Sequence, residues 1–170
     1  GEYVLTGSHQ PRLSEAVSQS LAGRTGIARL LPLSLRELAD AGTSLSRDEA
    51  LVNGFLPRIY ARNTTPFQQY LEYYATYVER DVRRLVNIRS AVAFDTFVKV
   101  LAGRVGQVVN YSSLANDVGI SVMTAREWIS ILEASFIIFR LPPYFENFGK
   151  RMIKSPKIYF VEPGLVAYLL

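Results

Sequence analysis

The stretch Asn110–Ser135, NYSSLANDVGISVMTAREWISILEAS, leaves this chain few ways to fold. It reads as two short helices meeting at Gly119. The first runs Ser112–Val118 and sets Leu114, Ala115 and Val118 on one face. Gly119 can take the left-handed conformation that ends a helix, and Ser121 can cap the next one. The second helix places Ala125, Trp128, Ile131 and Leu132 on one stripe at helical spacing, ready to pack on the first. A helix over Ala93–Arg104 completes a trihelical core. Two strands, Phe136–Leu141 and Lys157–Val161, then flank a basic, proline-bearing loop. The pattern predicts a winged helix-turn-helix.

Composition narrows the chemistry. A chain of 170 residues, 49% hydrophobic, buries one good core or two small ones. With no cysteine, disulfides, thiolate metal sites and cysteine nucleophiles are excluded. The one histidine, His9, cannot alone build a histidine-rich zinc site or a serine–histidine triad elsewhere in the chain. No apolar run reaches the ~18 residues of a membrane span, and no basic-then-apolar leader is present, so the expectation is a cytoplasmic protein without membrane contact.

Thr65-Pro66 opens a long helix to about Val86, with Phe67, Tyr70, Leu71, Tyr74, Tyr77, Val78, Val82 and Leu85 at three- and four-residue spacing. That spacing assigns the tyrosines to a core or interdomain stripe rather than to a base-stacking platform. Before it, Glu2–Leu5 and Ile27–Leu31 read as short apolar strands, and Ser34 caps a helix bearing Leu35 and Leu38. Two strands without partners in sequence predict the trailing edge of a larger α/β sheet, with more of it upstream.

Charge is concentrated in one place. From Phe136 to Lys157 the chain has five basic residues (Arg140, Lys150, Arg151, Lys154, Lys157) and one acidic, Glu146, an excess equal to the formal +4 of the whole chain. Such a hairpin either contacts phosphates or is simply a solvated wing, and the sequence leaves both open. The outward face of the second helix presents Met123, Arg126, Glu127, Ser130 and Glu133 or Ala134. A major-groove reader places arginine, lysine, asparagine or glutamine near its amino end, whereas phosphates repel Glu127 and Glu133. Arg126 and Glu127 are expected to pair or to point into solvent. Candidate nucleic-acid contacts are thus Arg126, Ser130, Arg140, Lys150, Arg151, Lys154 and Lys157, and an internal docking or oligomer interface competes with duplex DNA for the same surface.

The blocks YVLTGSHQ, SLAGRTGIARLLPLSLRE, YVERDVRRLVNIRS, NYSSLANDVGIS, WISILEAS, LPPYFENFGKRMIKSPKIYF and GLVAYLL, in this order, resemble the bacterial and archaeal AAA-type ATPases that end in a DUF4143 region. The resemblance implies that the Walker A and B segments lie before Gly1 and a nuclease-like region beyond Leu170. No G-x-x-x-x-G-K-[ST] occurs in these residues. It implies ATP and magnesium in the intact parent and no cofactor for this portion alone, which by itself would not turn over ATP. Thr6 and Ser8 match the family's polar sensor, and Arg24 matches an arginine that contacts nucleotide from the same or a neighbouring subunit. The alternative for Arg24 after Gly23 is an arginine bonding the free carbonyls at a helix end. Glu162-Pro163-Gly164 departs from the family's aspartate and threonine before that glycine.

Together these readings predict a mainly α chain with short strands, an α+β fold. Residues 1–62 would be the carboxy-terminal remnant of an AAA domain and 63–170 a DUF4143-type winged-helix domain. The winged helix would couple nucleotide state to a macromolecular partner, whether duplex DNA, its own AAA domain or another subunit in a homo-oligomer. The alternatives are a self-contained winged-helix DNA-binding regulator and a protein-interaction or oligomerisation module.

Overall fold

The computed structural model describes residues 4, 26, 28–62, 64–82, 90–144 and 155–170. The chain divides into two units, Gly1–Leu31 and Pro32–Leu170. In the first unit residues 28–31 carry no strand, and Leu30 is 99% exposed. The strand expected over Ile27–Leu31 is corrected for its described part. An extended segment needs a neighbour to satisfy its backbone, and no described residue pairs with this one. The strand expected at Glu2–Leu5 falls, apart from Val4, outside the described residues.

From Pro32 onward the described residues are mainly helical with one small antiparallel sheet, an α+β architecture. Helices α1 (Leu35–Asp40) and α2 (Arg47–Asn53) each begin in a reciprocal capping box. Ser34 and Ser46 accept from the backbone of Glu37 and Glu49, whose carboxylates accept in return from the serine N–H groups at 2.8 Å. Those hydrogen bonds hold both glutamate carboxyls below the usual range. After α3 (Pro57–Arg62), Thr65 caps α4 (Pro66–Tyr73), with Pro66 in the first turn as its missing donor allows.

The expected long helix does continue, but as a π-helix over Tyr74–Val82. Tyr70, Tyr74, Val78 and Val82, every fourth residue, form its buried stripe. In an α-helix of 3.6 residues per turn a four-residue repeat drifts around the axis. The wider i→i+5 turn counteracts that drift and keeps the stripe on the core. Phe67 and Leu71, expected on the stripe, remain exposed. The Tyr74 hydroxyl donates to Asp95 and the Tyr77 hydroxyl to the Ser135 carbonyl, both at 2.9 Å.

Three helices follow: α5 (Ala91–Ala102), α6 (Tyr111–Val118) and α7 (Val122–Ala134). Gly119 sits at φ 74° between the last two, and Ser121 accepts from the Thr124 N–H at 3.0 Å, as their sequence requires. Helix α7 buries Ala125, Trp128, Ile129 and Leu132, whereas Ile131, expected inward, is only half-buried. The buried set is the i, i+3, i+4, i+7 stripe, and Ile131 lies just off it. Trp128 stands edge-on to Phe94 and Phe97, with ring centroids 5.3 and 5.2 Å away.

Strands β1 (Ile138–Leu141) and β2 (Lys157–Phe160) pair antiparallel, with Ile138 opposite Phe160 and Leu141 opposite Lys157. Strand β1 starts two residues later than expected because Phe136 turns the chain out of α7 at φ 54°. Val108 bridges Lys157 from the other side. Gly106 and Val109 donate to the Ile158 and Pro156 carbonyls at 2.8 and 2.9 Å, so residues 106–109 line the second edge of β2. One apolar cluster includes Ile59, Tyr70, Val78, Phe97, Leu132 and Leu165, so residues on both sides of position 62 share a core.

Glu162 ties the two ends of this unit together. It caps α8 (Pro163–Leu169) and is 3% exposed. Its Oε1 accepts from the Phe55 N–H at 2.8 Å, the Tyr70 hydroxyl at 2.9 Å and the Gly164 N–H at 3.3 Å, while Oε2 has no partner among the described residues. Tyr70 also lies 3.0 Å from the Asn53 carbonyl. Its one proton cannot serve both acceptors fully. The hydroxyl proton is therefore shared between the Glu162 carboxyl and the Asn53 carbonyl. Burial pushes the Glu162 carboxyl above its usual 4.5, against the lowering effect of its three donors. Gly54, at φ 64°, closes the knot: a Cβ there would collide with the Tyr70 hydroxyl and Glu162 Oε1.

Two outcomes follow from this knot. Gly54→Ala should cost about 2–5 kcal/mol in urea unfolding, combining left-handed strain with overpacking. Gly42→Ala, at φ 81° with nothing within 4 Å, should cost only about 1–2 kcal/mol. Because Glu162 is raised in the folded state, its contribution is complete below 4.5 and is lost as pH rises through the folded value. Thermal unfolding from about pH 7 down to about pH 4.5 should therefore show the wild type gaining stability relative to Glu162→Gln. A constant difference between the two proteins would contradict the assignment.

Candidate nucleic-acid interface

Packing of Trp128 and Leu132 into the core turns the opposite side of α7 outward. That face carries Met123, Arg126, Glu127 and Ser130, all exposed, with Glu133 half-buried at its end. Arg126 neither pairs with Glu127 nor points freely into solvent. Its guanidinium carbon lies 4.3 Å from the centroid of the Tyr111 ring, a cation–π contact. Tyr111 is the first residue of α6, half-buried against the core, with Asn110 capping the helix by accepting from the Ser113 N–H at its Oδ1, 3.0 Å away. The guanidinium therefore sits over the phenol face while no described residue hydrogen-bonds its N–H groups.

Arg140 is arranged differently. It extends from β1 and donates from Nε to Glu133 Oε2 at 2.8 Å, with Nη2 on the same oxygen. That hydrogen bond holds the guanidinium above its usual value despite partial burial, and Tyr111 acts in the same direction. One of the two carboxylates expected to repel phosphate is thus neutralised in place. Glu127 is the other, and it remains exposed.

Arg126, Ser130 and Arg140 share the α7–β1 surface, while Lys157 lies exposed at the start of β2, paired with Leu141 and bridged to Val108. On the outer side of the sheet Phe139 stacks on Tyr159 at 5.5 Å and 17°, with Val108 and Leu141 also exposed. Lys150, Arg151 and Lys154 lie outside the described residues, as do Thr6, Ser8 and Arg24. Among the described residues, no three His, Cys, Asp or Glu side chains gather to hold a metal ion. None of the described helices is long and apolar enough to cross a membrane.

Sequence inspection missed Tyr111 and the Glu133–Arg140 pair. Tyr111 and Arg126 lie on different helices and meet only because the Gly119 turn folds α6 onto α7. No local spacing signals such a contact.

A family model described as a domain of unknown function, DUF8612, matches residues 44–170. Uncharacterized proteins of Mycobacterium tuberculosis and Mycobacterium bovis are each 33% identical over 170 residues, covering 99% of this chain and 38% of their own length. An uncharacterized protein of Haemophilus influenzae is 24% identical over 175 residues, 94% of this chain and 43% of its own. The chain thus spans less than half the length of these relatives. No solved structure matches. These matches correct the resemblance to AAA-type ATPases with a DUF4143 region: the family matched is a different one, and its relatives carry no assigned activity. Short blocks of apolar and turn residues recur wherever helices, turns and strands alternate in this order, so they do not specify that family. The nucleotide-sensing roles of Thr6, Ser8 and Arg24 rested on it and are not carried further.

Replacing Glu133 by Gln tests the nature of the Arg140 pair. With both side chains partly exposed, the loss in thermal unfolding should stay below about 1 kcal/mol. A loss of several kcal/mol would mark a buried pair instead.

Proposed function

The chain belongs to the DUF8612 family, and on that premise we propose that it is a winged-helix module that grips duplex DNA, with α7 in the major groove and the basic residues between Phe136 and Lys157 neutralising phosphates. The observation that carries this reading is the disposition of charge around α7. Arg126 stands on the exposed amino half of that helix with its N–H groups unspent among the described residues, and Glu133 is neutralised by Arg140. The adjoining stretch from Phe136 to Lys157 has five basic residues against one acidic. Neutralising phosphates releases counterions, and that release supplies most of the affinity of a basic surface for DNA. The order of elements supports the same reading. Helix α5, residues 106–109, α6, α7, β1 and β2 follow one another as in a winged helix, with the second and third helices joined across a glycine turn. Glu127 opposes tight binding, so most of the affinity comes from the basic stretch beyond α7.

A second reading has its own observation. Met123 at the tip of α7, and Val108, Phe139 and Leu141 on the sheet, are exposed apolar side chains of a kind that marks protein interfaces. A stable dimer formed without nucleic acid would favour that reading.

Fluorescence anisotropy of a labelled mixed-sequence duplex, titrated across salt concentrations, separates the two. Binding should weaken steeply with salt. Changing Lys150, Arg151, Lys154 and Lys157 together to alanine should lower affinity for every duplex. The log–log salt slope should shrink by about one for each lysine or arginine that had neutralised a phosphate. Absence of duplex binding at low salt would reject the DNA reading.

A further inference from the structure

Resting on that DNA-binding reading, we infer that Arg126 is the residue through which α7 selects sequence, that the base it selects is guanine, and that Tyr111 is its positioning residue. Guanine presents two acceptors, O6 and N7, side by side in the major groove, and a planar guanidinium fork matches both at once. A flexible arginine loses rotamer freedom when it docks. Arg126 has surrendered part of that freedom already, because the Tyr111 ring lies 4.3 Å beneath its guanidinium carbon. The ring is itself anchored, since Tyr111 opens a capped helix and packs against the core.

The other candidates on this surface are less suited to the role. Arg140 has Nε and Nη2 committed to Glu133, which leaves it to contact phosphate. Met123 is exposed and apolar, suited at most to a thymine methyl. Ser130 lies one turn beyond Arg126, and a hydroxyl both donates and accepts, so it discriminates poorly between bases. Arg126 is therefore the side chain on the face that is seated on an aromatic ring and keeps donors no described residue uses.

The test compares binding of the intact chain, at fixed salt, to a G·C-containing duplex, the same duplex carrying 7-deazaguanine, and a duplex of A·T pairs alone. The wild type should prefer the first by roughly five- to hundredfold. The 7-deazaguanine duplex, which lacks N7, should lose most of that preference. Arg126→Lys keeps the charge and loses the fork, so it should bind all three duplexes alike. Tyr111→Phe retains the ring and should retain the preference, whereas Tyr111→Leu should diminish it. The four-alanine variant of the wing should weaken binding to all three duplexes and leave their ratio intact. Duplex binding without any guanine preference, or a preference that survives Arg126→Lys, overturns this inference and leaves the DNA reading standing. No duplex binding at all overturns both.

Discussion

Trp128, wedged edge-on between Phe94 and Phe97, sets the rotation of α7 about its own axis. Aromatic edges prefer such contacts to a face-to-face sandwich, and the pair of them holds one face of the helix against α5. Everything outward follows from that rotation. With Ala125, Trp128, Ile129 and Leu132 inside, Arg126 and Ser130 must face solvent. A helix turned by one residue would bring Glu127 to the middle of the outer face and bury part of Arg126, and the charge of the surface would change sign locally.

The same packing disposes of a charge that would otherwise repel phosphate. Glu133 lies at the end of α7 where β1 passes, and Arg140 meets it from the strand. Arg126 is meanwhile drawn to Tyr111 by the ring's negative face. The surface therefore carries one guanidinium occupied by a carboxylate and one held on an aromatic face with its donors unused by any described residue. These two arginines are chemically alike in sequence and unlike in their spatial setting.

A second constraint binds the molecule at its other end. The Glu162 carboxyl, the Tyr70 hydroxyl and the bare Cα of Gly54 occupy one small volume, and each is possible only because of the others. A side chain at position 54 would displace both partners. Burial of an acid among backbone donors is tolerable because those donors satisfy Oε1, and because the carboxyl can hold its proton at a higher pH than it would in water. Helix α8 thereby joins α4 and the segment after α2 to a common core.

Helix existence was legible where a local signal was complete: the Thr65-Pro66 start, the Ser34 cap, and Gly119-Ile-Ser between two amphipathic runs. Local chemistry sufficed there because a cap or a left-handed turn is decided within four residues. The π-helical turn at Tyr74 was not legible, since a four-residue apolar repeat fits an α-helix nearly as well until a core is present to demand alignment. The late start of β1 was hidden too, because Phe136 carries a residue type that gives no warning of positive φ. The resemblance of short blocks to an ATPase family failed for a related reason: recurrent secondary-structure chemistry does not specify ancestry. What the residues alone determined, then, was the helical α+β character and the basic segment, both set by composition and local spacing. The pairing of Arg140 with Glu133, the seat of Arg126 on Tyr111 and the buried acid at Glu162 were decided only by tertiary structure, because each joins groups whose separation along the chain carries no periodic signal.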